Sequence, residues 1–461
     1  MGGMRTLHLL PMAWLALLLV QLSCTRPNPA YCDPPCLDGG QGDGAVVQID
    51  APPGCSRDED CEGHCGSAKE CEPCEAEEDC AARSDGQNHC DKSAGRCLSC
   101  VTNDHCANAS PICSAGTCGP CKADDQCAAR EATQRVGLCS EGSCLGEEQV
   151  AFVDKNHPQC KDDRGAFDAP FCDIQQAVDR ADDLRVNAVL VLSGAYPRFS
   201  VEGLALSIIG RGDVRLTSSP GEPVVEIRGL KASVTLRGLN IGQSTLFHDS
   251  ECVTCTEQAT CILEEMRISN CKTGIRSYLA KYLGVFRSSI FANQKGIRTQ
   301  LSDFEIVNNL IHDNNRGGES DGGAELGAGF STTNPKMSFR YNTVFRNQAA
   351  SSTSAAGVDC LIRLSLTSNI FWKNSPHDVS NACALDHSIV GESALAGDGS
   401  TNLYRDPKFV RPTSNPPDLH LLEGSPCIDA GLETATPGVD YDACPRSGVP
   451  DIGAYEFACD K

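Results

Sequence analysis

The sequence predicts a mainly β protein, a parallel β-helix solenoid preceded by a small disulfide-rich repeat region. Three observations lead to this prediction: regularly spaced cysteines early in the chain, a short strand ending in asparagine that recurs later, and one amphipathic helix between them. Successive coils of a solenoid stack on one another, so equivalent positions of each repeat are expected to lie in columns.

The first residues have the composition of an export signal. Arg5 precedes an apolar run over residues 12–20, which is shorter than a membrane-spanning helix and typical of a signal peptide over residues 1–24. Cys24 stands where a bacterial lipobox has its lipidated cysteine, although Gln21 replaces the aliphatic residue of that motif. Two outcomes are open: an outer-membrane lipoprotein anchored at Cys24, or a secreted protein after plain cleavage nearby.

The number of cysteines indicates the compartment in which the protein folds, and its net charge indicates which classes of partner it can bind. Thirty cysteines in 461 residues predict an oxidising compartment outside the cytosol. Acidic residues outnumber basic ones by 61 to 39, and the resulting formal charge of -22 argues against nucleic acid as a partner. Cations or neutral glycans fit this charge better, a glycan or cell-surface polysaccharide is a possible partner, and a membrane is expected as a partner only through a lipid anchor.

Four sets of four cysteines define disulfide-rich repeats over residues 54–146, after a Pro- and Gly-rich tether over residues 25–53. Each set opens with C-x5-C, and C-x2-C joins adjacent sets. The repeats contain almost no aliphatic core, so two disulfides are expected to stabilise each one, with three connectivities open. Zinc is the competing interpretation of C-x2-C, but export favours oxidised thiols. The cysteines of these sets are Cys55, Cys61, Cys65, Cys71, Cys74, Cys80, Cys90, Cys97, Cys100, Cys106, Cys113, Cys118, Cys121, Cys127, Cys139 and Cys144.

Acidic residues precede the second cysteine of each repeat. Closely spaced carboxylates in a disulfide-bounded loop would suit calcium. A solvated acidic turn is the alternative, because no loop has the complete EF-hand spacing. The candidate calcium ligands are Asp58, Asp60, Asp79, Asp104 and Asp125.

Residues 150–393 have the pattern of a solenoid body. An amphipathic helix with an apolar stripe from Ile174 to Ala181 precedes an apolar strand over residues 188–192. A short strand ending in asparagine then recurs, and successive asparagines are 23, 21, 33 and 27 residues apart. This spacing predicts one coil per repeat, with asparagines that adopt the left-handed turn conformation and bond along the stack. The asparagines are Asn270, Asn293, Asn314, Asn347 and Asn374.

Two parts of the chain resemble known families. The segments PF (170–171), IQQAV (174–178) and GAY (194–196) resemble the entry segment of pectate-lyase-like (pectin lyase-like) right-handed β-helix proteins. Within residues 394–461, GSPCIDAG (424–431) and DIGAYEF (451–457) look like the closing module of choice-of-anchor Q surface proteins. The resemblance implies a right-handed parallel β-helix solenoid on the cell surface and assigns no reaction.

The chain lacks the catalytic signatures of polysaccharide-degrading β-helix enzymes. Asn342-Thr343 is followed by Val344 where galacturonan hydrolases have an aspartate, and their Gly-His-Gly motif does not occur. Asp386-His387 matches a pectate-lyase dipeptide, but it lies in a segment that the resemblance identifies as structural. The sequence therefore contains no legible catalytic site.

Aligned on the asparagines, the repeats place aromatic residues in one column and Ala292, Asp313, Arg346 and Lys373 in the next. Facing outward, the aromatic column would stack on sugar rings beside Arg346 and Lys373. Facing inward, it would form an aromatic ladder of the core, which is the more ordinary arrangement. The aromatic column contains Phe291, His312, Phe345 and Trp372.

Two functional hypotheses follow. The first is a non-enzymatic surface protein whose β-helix binds glycans or serves in adhesion. The alternative is a secreted polysaccharide lyase or glycoside hydrolase whose acidic loop over residues 317–325 converges with Arg340 or Arg346. The candidate ligand-binding residues are Phe345, Trp372, Arg346, Lys373, Glu319, Asp321 and Glu325.

The cysteines after residue 150 are sparse and predict local pairs on a core that is sufficient without them. Thirty cysteines leave 29 once Cys24 is lipidated or removed, so one thiol is expected to remain unpaired, with Cys459 as the candidate. The expected pairs are Cys160 with Cys172, Cys252 with Cys255 or Cys261, Cys360 with Cys383, and Cys427 with Cys444.

Overall fold

The structure is a computed structural model that describes residues 57–65, 70–130, 133–140, 142–161, 165–243, 249–315, 322–331, 333–351, 355–391 and 401–459. Cys24, Cys55, the tether, Glu319 and Asp321 lie outside the described residues. Residues 55–461 form one compact unit. Among the described residues, no helix combines the length and apolarity needed to cross a membrane.

Each disulfide-rich repeat consists of one short helix and a two-stranded antiparallel hairpin. The helices are Asp58–Asp60, Glu77–Asp79, Asn103–His105 and Asp124–Ala128. The hairpin strands are His64–Cys65 with Cys71–Glu72, His89–Asp91 with Arg96–Leu98, Ile112–Ser114 with Thr117–Gly119, and Cys139–Ser140 with Ser143–Cys144.

Disulfides form the interior of these repeats. In the second, third and fourth repeats, the first cysteine pairs with the third and the second with the fourth, so the structure selects one of the three open connectivities. The buried cluster of the second repeat contains only its four cysteines. Because these sulfur atoms are bonded to one another, the repeats offer no thiolates to zinc. The pairs are Cys61–Cys71, Cys74–Cys90, Cys80–Cys97, Cys100–Cys113, Cys106–Cys118, Cys121–Cys139 and Cys127–Cys144, and Cys65 is also disulfide-bonded.

Three parallel sheets, named here faces A, B and C, wrap one apolar core and form a parallel β-helix. Face A contains Val150–Val153, the first parts of Ala188–Pro197 and Ala205–Thr217, Ser233–Arg237, Thr260–Glu264, Tyr282–Phe286, Phe304–Val307, Met337–Arg340, Leu364–Thr367 and Cys383–Asp386. Face B contains the last parts of those two long strands, Asn240–Gly242, Arg267–Ser269, Ser289–Phe291, Leu310–His312, Thr343–Phe345, Ile370–Trp372 and Ile389–Val390. Face C contains Phe199–Glu202, Val225–Arg228, Glu251–Thr256, Thr273–Tyr278, Lys295–Gln300, Ala324–Leu326, Ala355–Cys360 and His377–Val379.

The predicted amphipathic helix is Ile174–Leu184, and it packs against the first strands of the solenoid. It begins after Asp173, whose side chain accepts a hydrogen bond from the Gln175 amide (2.8 Å), as expected of an N-cap. It ends at Arg185 in the left-handed conformation. A short helix, Glu147–Gln149, leads into the first strand.

Asparagine ladders line two of the turns between faces. After face B, each side-chain amide donates to the side-chain oxygen of the next coil, at 3.2 Å from Asn293 to Asn314 and 2.9 Å from Asn314 to Asn347 and from Asn347 to Asn374. A second ladder joins Asn309, Asn342 and Asn369 before face B. The ladders supply partners to buried amides that would otherwise have none.

The prediction made by aligning the repeats on their asparagines is wrong at two points in these turns. Asn270 lies outside the ladder, because Arg267 rather than Met266 pairs with Ser289, which shifts the first repeat by one residue. The left-handed residue is the one before each ladder asparagine, not the asparagine itself. The left-handed residue bends the chain, and the asparagine that follows donates to a backbone carbonyl of the preceding coil, as Asn314 does to Ile290 (3.1 Å). The left-handed residues are Asn270, Ala292, Asp313, Arg346 and Lys373.

Residues 401–459, named here the closing module, fold onto the later coils of face B. The module contains a hairpin, Phe409–Arg411 with Asp418–Leu421, and a short helix, Glu433–Ala435. Arg446 connects the closing module to the solenoid. The buried guanidinium of Arg446 forms an ion pair with Glu456 (2.8 Å) and donates a hydrogen bond to Asn308 Oδ1 (3.1 Å) on the solenoid. Burial lowers the pKa of Arg446 below its ordinary value, while Glu456 opposes that shift.

Cysteine pairing after residue 150 differs from expectation at two places. Cys160–Cys172 and Cys360–Cys383 are the expected pairs. Cys252 pairs with Cys271 and Cys255 with Cys261. Three residues along an extended strand span about 10 Å, so Cys252 cannot reach Cys255.

The pairing expected in the closing module is also wrong. Cys444 pairs with Cys459, which is therefore not the unpaired cysteine. Cys427 is a free thiol, buried in an apolar cluster with Phe409 and Ile452, and burial raises its pKa to about 12. An apolar surrounding stabilises a neutral thiol in this way.

Candidate functional site

The short strands of face B present alternate side chains to the core and to the outside. The central residues Ile290, Ile311 and Val344 point into the solenoid core and are fully buried. Their neighbours on each strand therefore point outward. The column that contains Phe291 and Phe345 lies outside the solenoid core, so inward stacking, the more ordinary arrangement, is not the one observed.

The closing module covers the part of this outward column that contains Phe345 and Trp372. Phe345 is only 1% exposed, and its ring meets Phe409 of the module edge to face at 5.6 Å. Trp372 packs partly buried against the same apolar cluster. Phe345 is therefore not available as a ligand-binding residue, because the hydrophobic surface that the sequence assigned to sugars is used for docking the module.

An open cavity of about 480 Å³, named here the face B groove, remains beside the covered part. Phe291 contributes the aromatic ring of this groove, and Arg215 and Arg267 contribute two exposed cations. Its lining residues are Asp213, Arg215, Leu216, Thr217, Asn240, Ile241, Gly242, Gln243, Arg267, Ser269 and Phe291.

Polar groups at one end of the groove are held in place by one another. Asp213 accepts hydrogen bonds from Arg215 Nε and Asn240 Nδ2, both at 3.1 Å. The hydrogen bond and charge of Asp213 raise the pKa of Arg215 above its ordinary value. The three side chains offer donors and acceptors at fixed positions along the wall of the groove.

Arg267 and Phe291 form the other end of the groove. The guanidinium carbon of Arg267 lies 5.4 Å from the centroid of the Phe291 ring, a cation–π distance. Among the residues that the structure describes, Arg267 has no carboxylate ion-pair partner, so its charge is available to a ligand. Phe291 stacks in turn on His312 of the next coil.

His312 connects the groove to a buried chain of polar groups. Its Nδ1 lies 2.8 Å from Asp313 Oδ2, and Arg346 Nη2 donates to the same oxygen at 2.8 Å. Burial lowers the pKa of His312, although Asp313 acts in the opposite direction. His312 is therefore neutral at pH 7 and serves as packing beneath Phe291.

Ser289 extends this chain, because its Oγ lies 3.4 Å from His312 Nε2. The order Ser, His, Asp matches that of acyl-transfer triads. Ser289 is only 4% exposed and lines neither the face B groove nor the cavity beside Arg346. The arrangement therefore lacks the access to substrate that a nucleophile requires.

A second cavity, of about 460 Å³, contains the two cations that the sequence singled out. It is lined by Asp313, Arg346, Gln348, Lys373 and Ser375. Arg346 is already engaged by Asp313 and by the Pro412 carbonyl (2.8 Å), whereas Lys373 is exposed. Phe345 and Trp372 do not line this cavity. The aromatic and cationic columns do meet, because the guanidinium carbon of Arg346 lies 4.8 Å from the centroid of the buried Phe345 ring.

Three residues of the enzymatic alternative lie on different sides of the solenoid. Glu325 is on face C, where it is buried and paired with Lys295 and with Arg298 Nε (2.7 Å). Burial opposes the ionisation of Glu325, but its two cationic partners outweigh that effect and lower its pKa. Arg340 is on face A and pairs with Glu305, and Arg346 follows face B. These three side chains do not converge on one cleft.

The candidate calcium ligands lie in turns that their own carboxylates stabilise. Asp58 accepts a hydrogen bond from the Cys65 amide (2.9 Å), and Asp79 accepts two from Glu75 and Ala76. Within the described ranges, none of Asp58, Asp60, Asp79, Asp104 and Asp125 belongs to a cluster of three potential metal ligands. Calcium at these residues stays a prediction without geometric support.

The comparisons with known proteins assign no family to the chain. No family description matches the chain, and no curated protein matches its sequence. Among solved structures, the crystal structure of Escherichia coli ybhc is similar over 62% of this chain and 83% of that chain, with 11% sequence identity and a TM-score of 0.26. A likeness of this size carries no information about activity.

Four residues that line the face B groove were not predicted from the sequence: Asp213, Arg215, Asn240 and Arg267. The available signal was the column itself: Arg267 and Ser269 are the outward residues of the strand paired with Ser289 and Phe291. The one-residue error in the first repeat concealed this relationship. Asp213 and Arg215 belong to a long strand without the asparagine signature, which left them outside the alignment.

Proposed function

We propose that the protein is an exported, non-enzymatic surface protein that binds a glycan in the face B groove. The observation that carries this proposal is the exposed Arg267 above the Phe291 ring, in an open groove that Asp213 and Asn240 also line. This combination provides an apolar plane, a free cation and fixed hydrogen-bonding groups within one cavity.

Each of these groups matches a part of a sugar. The C–H face of a pyranose ring can stack on Phe291 only where Arg267 now covers the ring, because His312 of the next coil stacks on it from the other side, and the sugar hydroxyl groups exchange hydrogen bonds with carboxylate and amide groups. Arg267 would pair with a carboxylate or sulfate of an acidic glycan, because guanidinium donors match planar anions. The two arginines of the groove therefore favour an acidic polysaccharide at this site, although the net charge of the whole chain, -22, favours a neutral glycan.

The same proposal includes placement at the cell surface. Export through the segment over residues 1–24, with a lipid anchor at Cys24, would place the disulfide-rich repeats as a rigid spacer beneath the β-helix, in the manner of choice-of-anchor Q proteins. The many disulfides support an oxidising environment outside the cytosol. We expect the intact mass of membrane-fraction protein to show a diacylglyceryl group at Cys24. An unmodified N-terminus downstream of Cys24 in the medium would reject the anchor.

One experiment distinguishes a glycan-binding protein from a polysaccharide-degrading enzyme. Purified protein is applied to an array of acidic and neutral polysaccharides, and the supernatants are assayed for new reducing ends and unsaturated products. We expect binding to acidic members without product release. Product release would favour the lyase or hydrolase alternative, and absence of binding across the array would reject glycan recognition.

A further inference from the structure

Two histidines and one glutamate meet at the junction of the second and third disulfide-rich repeats. Glu77 lies in the short helix of the second repeat, His89 on its hairpin, and His105 in the short helix of the third repeat. One potential ligand atom from each side chain lies within 4.8 Å of the other two. The three side chains are neither deeply buried nor part of the face B groove.

We propose that Glu77, His89 and His105 bind a divalent transition-metal ion, with Zn²⁺ as the representative. Two imidazole nitrogens and one carboxylate oxygen form a donor set that suits zinc and copper and differs from the all-oxygen set of calcium. Three protein ligands also leave a coordination position for water, as at open zinc sites.

Binding of one ion requires the two histidine rings to rotate out of their stacked arrangement. His89 Nδ1 lies 3.3 Å from Glu77 Oε2, and the His89 and His105 rings are stacked with centroids 3.7 Å apart. Ligand atoms at about 2.0 to 2.1 Å from zinc in a tetrahedron are separated by roughly 3.4 Å. Rotation of the partly exposed side chains would bring the nitrogens into this range and turn the imidazole planes toward one ion.

Neighbouring backbone groups already orient two of the ligands. The Cys90 amide donates to Glu77 Oε2 at 3.3 Å, and the Val101 amide donates to His105 Nδ1 at 3.2 Å. An ion at His105 Nε2 would move the ring proton to Nδ1 and break the Val101 hydrogen bond, which is an exposed one. The disulfides of both repeats hold the backbone while this exchange takes place.

A bound ion would connect the second and third repeats. His105 belongs to the third repeat, whereas the other two ligands belong to the second. The metal would therefore cross-link the repeats and restrict bending at their junction. Cysteine thiols do not compete for the ion there, because the cysteines of both repeats are paired with one another.

The test is calorimetric titration of the whole oxidised protein with Zn²⁺, comparing wild type with H89A, H105A and E77Q. In E77Q, the side-chain amide oxygen can still accept the hydrogen bond from the Cys90 backbone amide. This variant therefore removes the negative charge and keeps the turn. H64A is the matched control, because His64 is also partly buried near a glutamate, 3.8 Å from Glu72, in the same region. We expect each ligand variant to lose more than about tenfold in affinity, since even outer-shell changes cost 10–100-fold, and H64A to match wild type.

Copper spectroscopy gives a second readout that does not depend on affinity. With one equivalent of Cu²⁺, we expect electron paramagnetic resonance to show coupling to two nitrogens in wild type and to one in H89A. A disulfide map checks that each variant is folded, and H89A keeps the proposal testable if H105A disturbs the Val101 turn. Unchanged affinity in H89A, H105A or E77Q, or loss of affinity in H64A to the same extent, would overturn the three-ligand site.

Discussion

The ring of Phe291 stacks on the ring of His312 in the next coil, with centroids 5.3 Å apart and planes inclined by 3°. Pairing of their strands places the two residues directly opposite each other. His312 is itself held by Asp313, so the aromatic wall of the face B groove rests on a fixed support. A ligand that stacks on Phe291 would not have to order that side chain first, which favours affinity.

The asparagine ladder predicts a large loss of stability for Asn347→Ala. Asn347 is fully buried, and its amide donates to the Ile311 carbonyl (2.8 Å) and to Asn374 Oδ1 (2.9 Å). Truncation leaves buried polar groups without partners, each at a cost of about 1–3 kcal/mol. We expect urea unfolding of the β-helix to shift to clearly lower concentration. Asn334→Ala, at an exposed site, is the control, and equal midpoints for the two variants would refute a stabilising role for the ladder.

The disulfide-rich repeats and the β-helix have different interiors, and we expect them to respond differently to reductant. The second repeat has only cysteines in its buried cluster, and each disulfide is typically worth about 2–4 kcal/mol. The β-helix has a continuous core of aliphatic and aromatic side chains from every coil. We expect strong reductant to expose the repeats to protease while a fragment beginning near residue 150 survives. Equally rapid digestion of both parts, seen by mass analysis, would contradict this division.

His420 predicts a pH-dependent contribution to the stability of the closing module. It lies 2.7 Å from Asp418 and 3.1 Å from Asp442 and stacks on Tyr455. Burial acts to lower the pKa of His420, but the two carboxylates outweigh it and raise the pKa above the ordinary value of about 6.5. The stabilisation is therefore fully present below pH 6.5 and is lost as pH rises through the raised folded-state value.

The matching measurement is thermal unfolding of wild type and His420→Gln at pH 6 and pH 9. Asp418 remains ionised at both values, because its pKa is lowered: burial acts to raise it, but the hydrogen bonds from His420 outweigh that effect. We expect wild type to exceed the variant in melting temperature by more at pH 6 than at pH 9. A difference that grows toward pH 9 would show that the charge on His420 does not stabilise the module.

Sequence periodicity predicted the solenoid, because each coil repeats the same local pattern of strand and turn. It did not predict which outward residues would be covered. That outcome depends on contacts between distant positions, such as Arg346 with the Pro412 carbonyl and Asn308 with the Val439 carbonyl (2.6 Å). The apolar character of Phe345 was compatible with core packing and with sugar stacking, and it could not indicate that the chain's own closing module would cover the ring.

A similar ambiguity explains the error at Asn270. Asparagine is favoured both at the left-handed position of a turn and in a hydrogen-bonded ladder. Asn270 occupies the first position, with a φ of 62°, and Cys271 follows it where later coils have the ladder asparagine. Residue type alone could not separate these two roles. Strand pairing was needed to identify Arg267 as part of the site.

The most direct test of glycan binding in the face B groove is affinity measurement for Phe291→Ala and Arg267→Ala, using the best polysaccharide from the array. Tyr278→Ala and Arg276→Ala are matched controls on face C, where Tyr278 is exposed and Arg276 is paired with Glu251 at 3.1 Å. We expect both groove variants to lose at least about tenfold in affinity, equivalent to about 1.4 kcal/mol, with wild-type affinity in both controls. Full affinity in the groove variants, or an equal loss in the face C variants, would contradict a binding site in the face B groove.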